Sequence, residues 1–261
     1  MRCFLVFFLL TLTCILSDAK TEDFTQKEIV LAASAWDPLM GRNLEGGGYL
    51  PEVIKAALSK AGYSLRVEWV SWDRAIELSK RGHFDGVIAA GNTIESLRYF
   101  NISDSVMSED YGYFALKDFQ ISQISPRQMR LPIVGAIKTS SIMEELKHNE
   151  KIVIKEEYHQ FQNIKNLLDG KIDAFVGGRR HVENILATRF PGYQDQVTMA
   201  EHIKTYEHHY IMISKKHPNS KKIINDFDRA FRSIQESGQD NEIRLKYGLS
   251  ESFSPISASV D

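Results

Sequence analysis

Apolar positions along this chain come in short runs broken by polar and glycine-rich stretches, and two periods alternate. Residues 28–34 form an apolar run behind a polar residue, the pattern of a buried strand. Trp36-Asp37-Pro38 breaks it, and Gly46, Gly47 and Gly48 lead into 49–61. There Leu50, Val53, Ile54, Ala57 and Leu58 recur at helical spacing, and Gly62 marks the stop. Residues 65–70 alternate apolar with polar, which predicts a strand. Ser71 is placed to N-cap a helix over 72–81, closed by Gly82, and 84–89 is a further apolar strand. The pattern then recurs: strand 131–137, helix 140–149, strand 151–155, helix 158–169 and strand 172–176. Each β-α-β-α-β run is the signature of a parallel sheet with helices on its faces.

The two runs end alike. Gly82-His83-Phe84-Asp85-Gly86 and Gly170-Lys171-Ile172-Asp173-Ala174 both read as glycine, any residue, apolar, aspartate, small residue, then apolar strand. A glycine cap after a helix is common by itself. Two copies, each closing the same unit, favour two similar α/β lobes. Residues 111–117 and 206–214 are extended aromatic and apolar stretches placed where two chain crossings between lobes would fall. Residues 219–237 carry Ile223, Ile224, Phe227, Ala230, Phe231 and Ile234 on one helical stripe, followed by a shorter helix over 242–247. These last helices are expected to return to the first lobe. The tail from Ser250 is rich in serine.

Ahead of this, residues 3–16 contain only apolar side chains and threonines. The run is shorter than the ~20 residues a spanning helix needs, and it follows Arg2. With small residues at Ser17 and Ala19 it reads as a secretory signal peptide over 1–19, cleaved after Ala19. Both cysteines, Cys3 and Cys14, fall inside it, so the exported chain is expected to carry no disulfide, thiol nucleophile or Cys-ligated metal. A lipidated Cys14 is the alternative, but Thr11-Leu12-Thr13 is a poor lipidation signal. The 261 residues carry 32 Lys+Arg against 34 Asp+Glu, a net charge of −2. That balance argues against nucleic acid as a partner.

The order of these segments resembles the extracellular solute-binding proteins of family 3, the polar amino-acid type. Trp36-Asp37-Pro38, Ser71-Trp72-Asp73 with Gly82 and Asp85, Thr93-Ile94-Glu95-Ser96 before Ile102-Ser103-Asp104, Gly135 to Ser141, and Asp173-Ala174-Phe175-Val176 carry the resemblance. It implies a two-lobed α/β fold of the type II periplasmic-binding-protein kind. Each lobe would be a mixed sheet flanked by helices, and two hinge crossings would join them. The organisation it suggests is lobe 1 over 20–112, lobe 2 over 113–208, and a return to lobe 1 over 209–261. It further implies a periplasmic, monomeric binding protein without a cofactor. Such a protein closes on a small-molecule solute and serves a membrane permease of the ABC type.

Two positions depart from the family pattern. The arginine that holds an α-carboxylate in the family falls at Ser96, and the acid that holds the ammonium falls at Gly178. Neither residue replaces those charges, which discounts a standard α-amino acid as ligand. Arg98 lies two residues on and is the candidate substitute; its alternative is a surface pair with Glu95. The other candidates are Trp36, in a turn, and Trp72, which either faces the ligand or packs into its lobe. Asn92 and Thr93 follow a strand end, where open α/β sheets bind ligands. Thr139, Ser140 and Ser141 precede a helix, with free N–H groups or a simple Ser140 N-cap as the two readings. Gly178 and Arg179 stand at the next helix start.

Other chemistries fit less well. His202, His208 and His209 lie close in sequence, but in an extended segment His208 and His209 point to opposite faces and do not converge on a metal. No G-x-S-x-G, H-E-x-x-H or Walker loop occurs, and Gly46-Gly47-Gly48 lacks the following lysine of a phosphate cradle. Glu45 and Glu95 are the loop carboxylates open to an acid–base role. A dehydratase-like enzyme on the same fold, or a ligand-sensing periplasmic protein, is the alternative to a binding protein.

Overall fold

In the computed structural model, residues 27–117, 119 and 130–249 are described, with side chains of 200–206 excluded. The segment read as a signal peptide, both cysteines, the His202 side chain and the serine-rich tail lie outside the described residues.

The chain runs β1 (Lys27–Ala33), α1 (Tyr49–Lys60), β2 (Tyr63–Trp69), α2 (Trp72–Arg81), β3 (Gly86–Gly91), α3 (Ser96–Tyr99), β4 (Phe100–Ile102) and β5 (Met107–Leu116). It continues through β6 (Ile133–Ile137), α4 (Met143–Lys147), β7 (Val153–Glu157), α5 (Gln160–Leu168), β8 (Ala174–Gly178) and α6 (Arg179–Arg189). The last elements are β9 (Val197–Ser214), α7 (Ser220–Glu236) and α8 (Gln239–Lys246). The strand order is β2-β1-β3-β9-β5-β8-β6-β7, with β4 also on β9. Both flanks are parallel triplets, β2-β1-β3 and β7-β6-β8, each ordered second, first, third. The long strands β5 and β9 run antiparallel between them and carry the chain from one triplet to the other.

The repeated turn explains why the triplets match. Gly82 and Gly170 sit at φ 82° and 67°, a left-handed conformation that glycine adopts without a Cβ penalty. In both turns the next two amides donate back to the last helical turn: Gly82 and His83 to Ser79 and Leu78, Gly170 and Lys171 to Leu167 and Asn166. The aspartate then stitches the third strand to the first. Val30 N–H donates to Asp85 Oδ2 at 2.8 Å while Asp85 N–H donates to the Val30 carbonyl at 2.9 Å. Ile133 and Asp173 repeat this at 2.7 and 2.8 Å.

Each triplet has its own core. The predicted stripe of α7 is buried and packs with α1, β1 and β3 around Leu50, Ile54, Ile88 and Phe227. Phe114, Ile164, Leu167 and Phe175 centre a second cluster on the other triplet. Alternation and helical stripes therefore located nearly every element. The short α3 and β4 were not expected, and the other differences lie at ends. β3 starts two residues later than predicted, because Phe84 and Asp85 belong to the turn. α4 is only Met143–Lys147, because Ser140 Oγ donates to the Ile137 carbonyl at 2.7 Å and 139–142 form a turn. α8 begins at Gln239, directly after Gly238. Both crossing strands are longer than their apolar stretches, and β5 starts in the polar run Ser108-Glu109-Asp110.

Candidate functional site

A cleft of about 540 Å³ opens where the two triplets meet, within the usual range for a small-molecule site. Its walls come from the carboxyl ends of strands in both triplets. Ser34, Ala35 and Trp36 follow β1; Ala89, Ala90 and Gly91 end β3; Trp72 and Ile76 stand on α2. Opposite lie residues 137–141 after β6, Tyr158 to Gln160 after β7, Gly178, and His181 on α6. Tyr111 of β5 and Glu207 and His209 of β9 line it from the crossing strands.

Three contacts bridge the walls. Thr139 Oγ1 donates to Asp73 Oδ1 at 2.8 Å, and Trp72 Nε1 donates to the Thr139 carbonyl at 3.2 Å. His181 Nδ1 lies 2.8 Å from the Asp37 carbonyl, so that nitrogen carries the proton and Nε2 is left as an acceptor. Trp36 is held in a tight turn by paired bonds with Met40. Its ring meets His209 edge-on at 4.6 Å and His181 at 6.4 Å between centroids.

Of the residues expected from sequence, Trp36, Trp72, Thr93, Thr139, Ser140, Ser141 and Gly178 line this cleft. Trp72 packs into its lobe against the cluster of Ala75 and Phe100 and also bonds across the opening. Ser96 lines the cleft too, but its Oγ and the Thr93 hydroxyl are engaged with each other's amides at 3.0 Å. Asn92, Arg98 and Arg179 lie outside the lining. Asn92 and Arg98 are exposed, and Glu95 pairs with Lys80 at 2.7 Å instead of Arg98. Arg179 turns to Asp110 at 3.2 Å, because Glu109 and Asp110 project to opposite faces of β5. Of the N–H groups expected around Ser140, its own amide is taken, donating to the Ile137 carbonyl within the turn. Glu45 does not line the cleft; its backbone carbonyl accepts from Tyr247. Among the described residues no three His, Cys, Asp or Glu side chains are grouped to hold a metal.

What the sequence reading missed sits on the crossing strands. Glu109 and Glu207 are direct cross-strand partners. Glu109 is 3% exposed and reaches the start of α6, where Oε1 accepts from Arg180 N–H at 2.9 Å. Its Oε2 fills the space beside Gly178: a Cβ there would lie 2.2 Å from it. Burial pushes the Glu109 carboxyl up to about 7, opposed by the amides of Arg180 and His181. Burial, then the charges of Glu109 and Glu145, lift Glu207 to about 7 as well. Burial lowers His209 to about 4 and also lowers His181. The sequence signal was present only as carboxylates inside β-compatible stretches, which polarity alone assigns to a surface.

These shifts set a pH dependence of stability. Glu109 and Glu207 titrate higher in the folded chain than in the unfolded one, so their contribution is lost as pH rises through about 7. The depressed histidines act oppositely, but only below about pH 6.5, where an unfolded histidine gains its proton. The melting temperature is therefore expected to fall from pH 6.5 to 8.5. The Glu109→Gln/Glu207→Gln double variant is expected to flatten that slope in calorimetry; an unchanged slope would sink the assignment.

The comparisons with known proteins agree with this architecture. The model for bacterial extracellular solute-binding proteins, family 3, matches residues 29–250. Among curated proteins none matches. A His/Glu/Gln/Arg/opine family-binding protein from Silicibacter pomeroyi, solved with lysine, is 17% identical with a TM-score of 0.69, covering 87% of this chain and 99% of that one. An arginine-binding protein mutant from T. maritima is 16% identical at TM-score 0.68, covering 85% and 95%. A histidine kinase sensor domain is 15% identical at TM-score 0.69, covering 85% and 96%. Likeness at these identities is likeness of fold, and it is the two-lobed α/β fold expected from the repeated turn. No helix among the described residues is long and apolar enough to cross a membrane. With the family match running from β1 to the end of α8, the chain belongs to the bacterial extracellular solute-binding proteins, family 3.

Proposed function

We propose that this chain captures a small polar or aromatic solute between its two lobes and hands it to a membrane permease of the ABC type. Export through removal of residues 1–19 would place it in the periplasm, where it works as a monomer and binds its solute without chemical change. The observation that carries the reading is the cleft walled by both triplets and bridged by Thr139–Asp73, Trp72–Thr139 and His181–Asp37. A solute touching both walls stabilises the closed arrangement in proportion to its preference for closed over open. β5 and β9 are the hinge in this reading, with lobe boundaries near 112 and 208. A standard α-amino acid is disfavoured, because Ser96 and Gly178 stand where the family places its arginine and acid. The sensor-domain neighbour supports a second reading, in which the same capture is reported to a partner protein instead of a permease.

A thermal-shift screen of metabolites tests the reading. A solute present at 100 times its Kd adds about 2.7 kcal/mol and raises Tm. Trp36→Ala is expected to weaken the best solute by roughly tenfold or more, as an aromatic anchor does, while the variant stays folded. Turnover of the solute would move the reading to an enzyme. Unchanged affinity in Trp36→Ala would remove that ring from the site.

A further inference from the structure

Glu207 and Glu109 face each other directly across the β5–β9 ladder, an arrangement of like charges that a sheet disfavours. Only Glu207 opens into the cleft, and among the described residues no hydrogen bond or ion pair engages its carboxylate. Gly91, having no Cβ, lets it approach the backbone: a Cβ there would lie 2.5 Å from Glu207 Oε1 and 2.4 Å from Ser141 Oγ. Two acceptors from opposite walls thus converge beside the end of β3. A second, independent feature points the same way. His209 is 6% exposed and lines the same cleft; its ring is near the Ala89 backbone, which leaves the other ring nitrogen without a partner. Held neutral, it offers one more acceptor.

Two of the three lysines that line the cleft, Lys80 and Lys138, are paired with carboxylates. Lys80 is bound to Glu95 at 2.7 Å and Glu77 at 3.3 Å, and Lys138 lies 3.9 Å from Glu156. Arg179 faces Asp110. The position that would clamp a carboxylate is Ser96, tied to Thr93. Around Glu207 the cleft therefore offers an acid and neutral acceptors to a donor, with Trp36 and Trp72 in the same lining and Lys147, near the end of α4, as its remaining lysine.

We infer that the solute is an organic cation without a carboxylate, an ammonium or guanidinium on a small apolar or aromatic body, seated on Glu207 with Ser141 and His209 as further acceptors. This rests on the solute-binding reading proposed above. The groups facing Glu207 are Glu109 and Tyr111 from β5, Glu145 from α4, and Tyr210 from its own strand, none of them cationic. A bound cation keeps Glu207 ionised, so affinity should rise with pH through about 7.

The test uses matched pairs: agmatine and arginine, cadaverine and lysine, histamine and histidine, tyramine and tyrosine. Calorimetric titration of the mature chain at pH 8 should show at least one amine binding tenfold or more tightly than its amino acid. That amine should bind several-fold more weakly at pH 6. Glu207→Gln should lose tenfold or more of its affinity and most of its pH dependence, while melting no lower than the wild type without ligand, which shows that it is folded. Equal or better binding of every amino acid than its amine would overturn the inference, as would undiminished amine binding by Glu207→Gln. Binding of neutral solutes alone would overturn it while leaving the solute-binding reading intact. Failure of every solute in the wider screen would defeat that reading itself.

Discussion

Gly86→Ala is expected to lower stability by about 3 kcal/mol, although the same place in the other half of the chain is occupied by an alanine. Gly86 and Ala174 each follow the stitching aspartate, Asp85 or Asp173, and open the third strand of a triplet. By sequence the exchange is conservative. In the fold, Gly86 pairs with Ile213 of β9, and a Cβ at 86 would lie 2.0 Å from the Met212 carbonyl oxygen and 3.1 Å from Ile213 Cα. Both are backbone atoms of a strand paired on its two sides, so they cannot swing away as a side chain does. Ala174 is fully buried and fits between β5 and β6 without such an approach. Its replacement by glycine should cost only about 1 kcal/mol, through chain entropy and lost packing. Urea unfolding at constant m-value measures both. A Gly86→Ala midpoint indistinguishable from wild type would show that β3 and β9 are not held as closely as described.

The second large effect concerns the acid missing from position 178. Gly178→Asp restores the residue that the family resemblance places there, yet it is expected to destabilise the chain by about 2–3 kcal/mol. Glu109 already occupies the space: a Cβ at 178 would lie 2.2 Å from its Oε2 and 2.6 Å from its Cδ. Two buried carboxylates would then contend for the amides of Arg180 and His181 at the start of α6. An aspartate alone at that N-cap is favourable. Removing Glu109 should therefore rescue it, and Glu109→Ala/Gly178→Asp is expected to regain most of the loss. The signature is strong non-additivity in a double-mutant cycle read by denaturant unfolding. Simple addition of the two single costs would mean that Glu109 does not stand in for the missing cap.

These two glycines also show how much of the protein was legible from its residues. Period-2 and helical stripes placed β1, α1, β2, α2 and α7 within a residue or two, because each buries one continuous face. The turns at Gly82 and Gly170 were legible because helix end, left-handed glycine and aspartate act within a few residues of one another. Trp36, Trp72 and Thr139 to Ser141 were legible as cleft candidates because strand ends mark where open sheets bind. Arg98 and Arg179 were not separable from cleft residues by the same rule. Which way a charged side chain turns depends on partners such as Asp110, 69 residues away in the chain.

The sequence by itself determined two β-α-β-α-β units and the duplicated turn that closes each. Both rest on local periods and on residue identity. Only the tertiary structure decided that Glu109 and Glu207 meet on adjacent crossing strands, that Glu207 and Ser141 close on Gly91, and that His209 is buried against Trp36. The pairing register of β5 with β9 joins residues about 100 positions apart. It is fixed by how two separately packed triplets dock onto those strands, and no pattern along the chain specifies that.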